Sequence, residues 1–528
     1  MIPKIKIPEI PESERTPTVM ALLDVISLLI ESNNNLSEEN QILKNELARL
    51  KGSNPKPKIK PSILGSEPKS SDVKKRKKRR KKREKQTKKV VEIPLNAEDV
   101  PSGSEFRGYK DFRVENIELT PVLEIYRREK WRTPDGRFII APLPERINSH
   151  FGAELKSLIL SLNYSMNVPQ SHILNFLTEL GVDISAGQIQ NILSEGYEDL
   201  HTEKDLLLEH ALQIFPYIAT DDTGARHKGK NSFCNYIGNE FFAHFKTTES
   251  KSRINFLKIL RGNRTDFVFI EESIAYMVAQ GLPGGIINRI EGKLNKDIPD
   301  ESEWNSFLWL IGVKSEKDIK TLTEGALLGS ILSYGIRDDL VILSDEAGQF
   351  DILTHALCWM HAERKLSSLI PINDYYQSII DKIRGNVWNF YQELKAYKLE
   401  PDSEKKECIN NSFDKLFSQK TEFESINRAL ELIYKNKKGL LIVLDRPEIP
   451  LHNNTGENDI RVFVTKRKIH GGTRSDKGRL CRDTFMSLKK TCRKLGISFY
   501  AFLYDRISKT ENIPPLYEIM KVKYSECN

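Results

Sequence analysis

"YIATDDTG", residues 217–224, is the stretch on which the fold turns. Tyr217, Ile218 and Ala219 have the apolar character of a buried strand, continuous with "IFPYIAT" at 214–220. The run then meets two adjacent carboxylates, Asp221 and Asp222. Side chains alternate across a strand, so Asp221 and Thr223 share one face and Asp222 points away from it. Asp221 is therefore the member of the pair expected at a site, immediately beyond a strand over 214–220.

Downstream, "NSFCNYIGNEFFAHFKTT" reads as two strands joined by a turn at Gly238–Asn239, and "RINFLKIL" as a helix. A further strand is expected in "DDLVILSDEAG", where Leu340–Val341–Ile342–Leu343–Ser344 runs into Asp345. Helical sequence dominates 374–438, and a helix near 453–463 carries Glu457. Antiparallel strands followed by strand–helix alternation give an α/β fold with a mixed sheet flanked by helices. Open α/β sheets place their sites at strand ends. Two aspartates from strand ends and one glutamate from a helix, Asp221, Asp345 and Glu457, would supply hard oxygen ligands for two Mg2+ (or Mn2+) ions. Such a pair can activate a water and stabilise the leaving oxygen of a phosphodiester.

The N-terminal third has a different character. Leu22, Leu29, Leu36, Leu43 and Leu50 recur every seven residues, with Val19, Ile26, Asn33, Asn40 and Leu47 three positions before each. Leucine at d with mixed Ile and Asn at a favours a parallel two-stranded coiled coil over 18–51, hence a homodimer. Residues 1–17 are expected to be disordered. Residues 52–105 read as a disordered Lys-, Pro- and Ser-rich linker. It contains "KKRKKRRKKREKQTKK" at 74–89, with thirteen Lys or Arg and one Glu. The chain's net charge of +8 is therefore a local tail on an otherwise acidic protein. The tail suits phosphates, through counterion release.

Residues 106–150 form a small β-rich segment that includes "GRFIIAPLP". Residues 151–205 fit a helical domain, within which "SHILNFLTELGVDISAGQIQNILSE" fits a helix-turn-helix. Its first helix covers about 171–180, Gly181 turns the chain, and Ser185 caps a second helix with Ile189 and Ile192 inward. Gln188, Gln190 and Asn191 are then placed to hydrogen-bond base edges in a major groove. The six cysteines form no C-x-x-C pair, and no apolar run approaches a membrane span. Together with an N-terminus lacking a signal-peptide core, this points to a reducing, cytoplasmic setting.

The blocks "TDDTG", "ILSDEAGQF", "ALCWMHAERKL" and "HNNTGENDIRVFVTKRKIHGGTRSDKGR" resemble, in order, the motifs of DDE transposases of the insertion sequence 66 family. The zipper, "ARLKG" and the helix-turn-helix resemble that family's N-terminal part. The resemblance implies an RNase H-like catalytic core over 210–510, with helical insertions at about 262–335 and 365–450 and a C-terminal tail at 511–528. It implies metal ligation by Asp221, Asp345 and Glu457. It also implies phosphate contacts by Arg461, Lys466, Arg467 and Lys468, and a structural role near the site for Cys358 and His361. Its partners would be transposon-end and target DNA, with the small accessory transposition proteins that often accompany the family, in a bacterial, nucleoid-associated setting. Two departures stand out. Relatives carry zinc-binding cysteines between linker and helix-turn-helix, and 106–150 has none; the family's "ER" at the third acid is here Glu457–Asn458.

A transposase would cut 3′ ends and join them to target DNA. A catalytically inactive DNA-binding protein or repressor would need only zipper, tail and helix-turn-helix, and has no use for three acids in these motifs. An RNase H-like nuclease without strand transfer would share the metal chemistry.

Overall fold

The computed structural model describes residues 16–32 and 90–527, except positions 27, 30, 31, 113, 115, 116, 118, 145, 146, 148, 295 and 372. Most of the heptad run and the basic run at 74–89 lie outside the described residues. The chain divides into residues 33–120 and a larger unit of 1–32 with 121–528. The described part of the smaller unit has one helical turn, Ala97–Asp99. Its apolar side chains, Ile93 and Phe112 among them, are exposed.

The larger unit begins, after 16–32, with a hairpin of β1 (Lys130–Arg132) and β2 (Phe138–Ile140), within the segment expected to be β-rich. Helices α1 (Ala153–Leu160), α2 (Gln170–Glu179), α3 (Ala186–Ser194) and α4 (Glu198–Ile214) follow. Gly181, at φ 84°, makes the turn between α2 and α3. Ser185 caps α3 in a capping box with Gln188, and Ile189 and Ile192 are buried as expected. Helix α4 runs straight across the boundary drawn at 205–210. Residues of α1 to α4 share one hydrophobic core with the sheet and the C-terminal helices.

The central sheet has five strands in the order β5-β4-β3-β8-β9. Strands β3 (Tyr217–His227), β4 (Lys230–Gly238) and β5 (Ala243–Thr248) are antiparallel to one another. The β4–β5 turn opens at Gly238, where a Cβ would meet the Phe242 carbonyl oxygen at 2.6 Å. Next come α5 (Arg253–Arg261), a short ribbon of β6 (Phe267–Val268) with β7 (Asp297–Ile298), and α6 (Glu316–Ser333). Strands β8 (Val341–Ser344) and β9 (Thr354–Leu357) then run parallel to β3. Helix α7 (Trp359–Ser367) opens a helical unit with α8 (Asp374–Leu399), α9 (Ser403–Phe417) and α10 (Glu424–Lys435). The chain closes with α11 (Asn454–His470), α12 (Asp476–Leu495), α13 (Phe499–Ser508) and α14 (Leu516–Ser525).

Strand alternation sorts the sheet's two faces. Ala219, Tyr236 and Phe245 pack with Ile460, Phe463 and Met486 of α11 and α12. Ile218 and Ile237 face the other way, into the core that holds Phe256 of α5 and Leu327 of α6. The segment 262–335 thus forms much of the layer covering that face: Phe267, Met277 and Trp304 all join its core.

One sequence expectation changes here. Strand β3 does not start at 214, where α4 ends, nor does it stop at Thr220; it continues to His227. The apolar half, 217–220, is buried, with β8 beside it and β4 joining from Ala219. The polar half extends past the end of β8 with only β4 beside it, so it tolerates charges. In the described start of the heptad run, residues 17–26 are helical, but the buried residue is Leu23, at neither an a nor a d position. Leu23, 4% exposed, enters the core of the helical unit beside Ile426 and Leu430, while Leu22 and Leu29 stay 57% and 62% exposed. No described helix is long and apolar enough to cross a membrane.

Leu23→Ala is expected to loosen the 359–444 helical unit by roughly 2–4 kcal/mol, with Leu22→Ala within about 0.5 kcal/mol of wild type. Hydrogen exchange of α8 and α10 measures both; equal effects would mean that Leu23 is not a core residue.

Candidate active site

The parallel register pairs Tyr217 with Val341, Ile218 with Ile342 and Ala219 with Leu343. Continued two residues, it brings Asp221 opposite Asp345, at the step where β8 stops and β3 goes on. Asp221 lies on the face of Ala219, beneath α11, whose first turn carries Glu457. Asp221 Oδ1 accepts the Asp222 N–H at 2.7 Å. Burial raises the Asp221 carboxyl; the negative charges of Asp345, Asp222 and Glu457 add to this against the Asp222 N–H, pushing it up to about 7. Asp345 and Glu457 are thus among the charges that act on Asp221.

Asp222 faces the opposite layer, as alternation requires. It pairs with Lys251 and accepts from Gln349 Nε2 at 2.7 Å. The two neighbouring carboxylates thus have separate surroundings: Asp222 ties β3 to the segment before α5 and to the loop after β8, and Asp221 faces α11.

Asn453 holds the pieces together. It is buried, and its side-chain oxygen caps α11 by accepting from the Gly456 N–H. Its Nδ2 donates to the Thr220 carbonyl at 2.7 Å, one residue before Asp221. Its own N–H donates to Cys358 Sγ at 3.2 Å, and the Cys358 N–H donates to the Ser344 carbonyl at 3.0 Å, one residue before Asp345. Cys358 also opens α7. His361, one turn on, is half-buried, with Nδ1 lacking a hydrogen-bond partner among the described residues. Deeper in, Asp459 accepts from Tyr236 Oη at 2.9 Å and pairs with Lys490 and Lys494 at 2.8 and 2.7 Å, clamping α11 to β4 and α12. Removing one partner of such a buried pair typically costs about 3–5 kcal/mol.

Around Glu457 stand two exposed guanidiniums, Arg461 at 3.4 Å and Arg364 at 4.0 Å. Arg461 and Lys468 are open to solvent, as a phosphate contact requires. Lys466 and Arg467 are not free for that task. Lys466 is 3% exposed, and its Nζ donates to the Asn163 carbonyl and Oδ1 at 2.7 and 2.9 Å. Burial, with Lys489 and Arg482 nearby, lowers its ammonium to about 7. Arg467 donates to the Gly224 carbonyl of β3. On α3, Asn191 is exposed; Gln190 reaches Ser194 Oγ at 3.2 Å; Gln188 accepts from the Ser185 N–H at 2.7 Å, so its side-chain oxygen is committed to the cap.

No group of three or more His, Cys, Asp or Glu side chains among the described residues forms a ready-made metal cage. Mg2+ seldom needs one: it takes one or two carboxylates and completes its shell with waters and substrate phosphates. The donor set fits that pattern. Asp221 and Asp345 offer hard oxygens, and Asp221 is poorly compensated as an anion without a cation. Sequence reasoning gave Asn453, Asp459 and Arg364 no role, although all three lie inside the motif blocks that carry the resemblance.

Asn453→Ala is expected to cost α11 its cap, about 1 kcal/mol, and leave the Thr220 carbonyl unsatisfied, about 1–3 kcal/mol more. Faster amide exchange over 456–460 checks this; unchanged protection would mean that the helix start is held elsewhere.

A family model described as "Transposase IS66 family" matches residues 343–479. The match spans Asp345, Cys358 and Glu457 and ends just inside α12. An uncharacterized protein, y4jO, of Sinorhizobium fredii (strain NBRC 101917 / NGR234) is 39% identical over 320 residues, which is 60% of this chain and 100% of the relative. With a relative covered end to end at that identity and the family's motif region matched, the chain belongs to the IS66 transposase family.

Proposed function

We propose that the chain is a DNA transposase that cuts the 3′ ends of an insertion sequence and joins them to target DNA. The observation that carries this reading is the β3–β8 register, which sets Asp221 opposite Asp345 beneath the helix bearing Glu457. Three antiparallel strands followed by two parallel ones are the pattern of an RNase H-like core, which supports the same reading.

In the first step a water oxygen attacks the phosphorus at the element end and the P–O3′ bond breaks, leaving a 3′-hydroxyl and a 5′-phosphate. In the second, that hydroxyl attacks a target phosphodiester, and the target's own O3′ leaves. Mg2+ or Mn2+ ions at Asp221, Asp345 and Glu457 would stabilise the charge at phosphorus and favour the deprotonated nucleophile. The protein's own groups orient the reaction. Asn453 fixes the start of α11 against β3, Asp222 is withheld by Lys251 and Gln349, and Arg364 and Arg461 face the incoming phosphate. Helices α2 and α3 would hold the terminal repeats, with Asn191 the open base-reading group. The exposed Leu22 and Leu29 leave a heptad seam through which two copies would pair.

The test is cleavage and joining of DNA carrying the flanking element ends with Mg2+, wild type beside Asp345→Asn. Wild type should give metal-dependent nicks at the 3′ ends and joined products. The variant should bind ends within about threefold of wild type and lose more than roughly a thousandfold in cleavage, since charge stabilisation at phosphorus supplies much of such rate enhancements. Equal cleavage by both proteins would remove Asp345 from the chemistry.

A further inference from the structure

The far end of β3 carries a feature that the acid site does not use. Residues 226–230, "RHKGK", make a two-residue turn between β3 and β4. Lys228 and Gly229 both have positive φ, 49° and 76°. This turn type favours Asn-Gly; a lysine at its first position is uncommon. Arg226, Lys228 and Lys230 are exposed, and no carboxylate lies within the turn.

The tip is braced from below. Lys228 N–H donates to the Thr473 carbonyl at 2.8 Å, and Thr473 N–H donates to the Arg226 carbonyl at 3.0 Å. His227 is buried against Thr473 Oγ1 at 2.9 Å and Asp476 at 3.0 Å. This approach needs Gly472, since a Cβ there would meet the Arg226 carbonyl oxygen at 2.7 Å. The bracing loop adds exposed Arg474, and the first turn of α12 adds exposed Lys477. Lys477 in turn reaches Glu195, the residue that ends α3, at 3.1 Å. Asp476, which pairs with Lys228, and Glu195 are the carboxylates on the tip's bracing side, and both are partly exposed.

We propose that this braced tip is a sequence-independent contact for the DNA backbone. It would grip phosphates between the stretch read by α3 and the bond cut beside Asp221. The inference rests on the transposase reading. The surface is continuous from the end of α3 through Lys477 to Lys228, on the strand that bears Asp221. Lys228 lies seven residue steps beyond Asp221, about 23 Å at roughly 3.3 Å per residue. That corresponds to about seven base pairs of duplex at about 3.4 Å each.

The test uses the full chain. Lys228→Asn and Lys230→Gln together remove two charges, and asparagine suits the turn. Arg474→Gln with Lys477→Gln forms a second variant, on the bracing loop and the first turn of α12. Each pair should lower the slope of log affinity against log salt by roughly 2, since each phosphate no longer neutralised removes about 0.9 from it. Affinity should fall by the same factor on element-end and scrambled DNA, and the footprint should weaken about seven base pairs from the cut. An unchanged slope in both variants, or a loss confined to the end sequence, would overturn the proposal. Either result would leave metal-dependent cleavage by wild type intact, so the surface and the transposase reading fail separately. Wild type that never cleaves but shows the slope change would keep the surface and remove the function.

Discussion

The parallel pairing of β3 with β8 is the constraint on which the rest of the molecule depends. Three residue pairs fix it, from Tyr217 with Val341 to Ala219 with Leu343. A one-residue slip would turn Asp221 to the other face and present Asp222 in its place. The apolar content of both strands opposes that slip. Val341 and Leu343 pack with Ile449 on one side, and Ile342 with the core around α5 and α6 on the other. The position of the acids is thus enforced by hydrophobic burial several residues away, where no charge is involved.

Polar groups then fix what burial leaves loose. Asn453 commits its side-chain amide to Thr220 and Gly456, each one residue before an acid, and its own N–H to Cys358, whose N–H in turn bonds Ser344 beside Asp345. The Asp459 network holds the same helix from beneath. Lys466 and Lys489 extend this arrangement to the N-terminal helices, donating to main-chain oxygens of Asn163, Tyr164 and Ser165. Those carbonyls belong to a π-helical turn, Ser161–Ser165, of the kind that leaves main-chain acceptors open. The helix that carries Glu457 is therefore bonded both to the sheet and to the unit containing α2 and α3. A shift in one would be felt by the other.

Much of this was legible in the sequence. The buried strands are apolar runs of the right length, and the helices of 374–438 declare themselves by periodicity. The alternation rule separated Asp221 from Asp222 correctly. What stayed hidden required a partner far away in the chain. Nothing local distinguishes Lys466 from Lys468, because the acceptors of Lys466 lie some three hundred residues earlier, at Asn163. Gln188 could have been recognised: Ser185 and Gln188 have capping-box spacing, which competes with any role at bases. The extension of β3 to His227 was obscured because that half has a single strand neighbour and so needs no apolar pattern.

The most direct test of the central claim is anomalous diffraction from the full chain crystallised with element-end DNA and Mn2+. Manganese within roughly 2–2.5 Å of carboxylate oxygens of both Asp221 and Asp345, at the scissile phosphate, is the expected result. Manganese bound elsewhere, with Asp221 and Asp345 facing water beside an occupied DNA site, would contradict it.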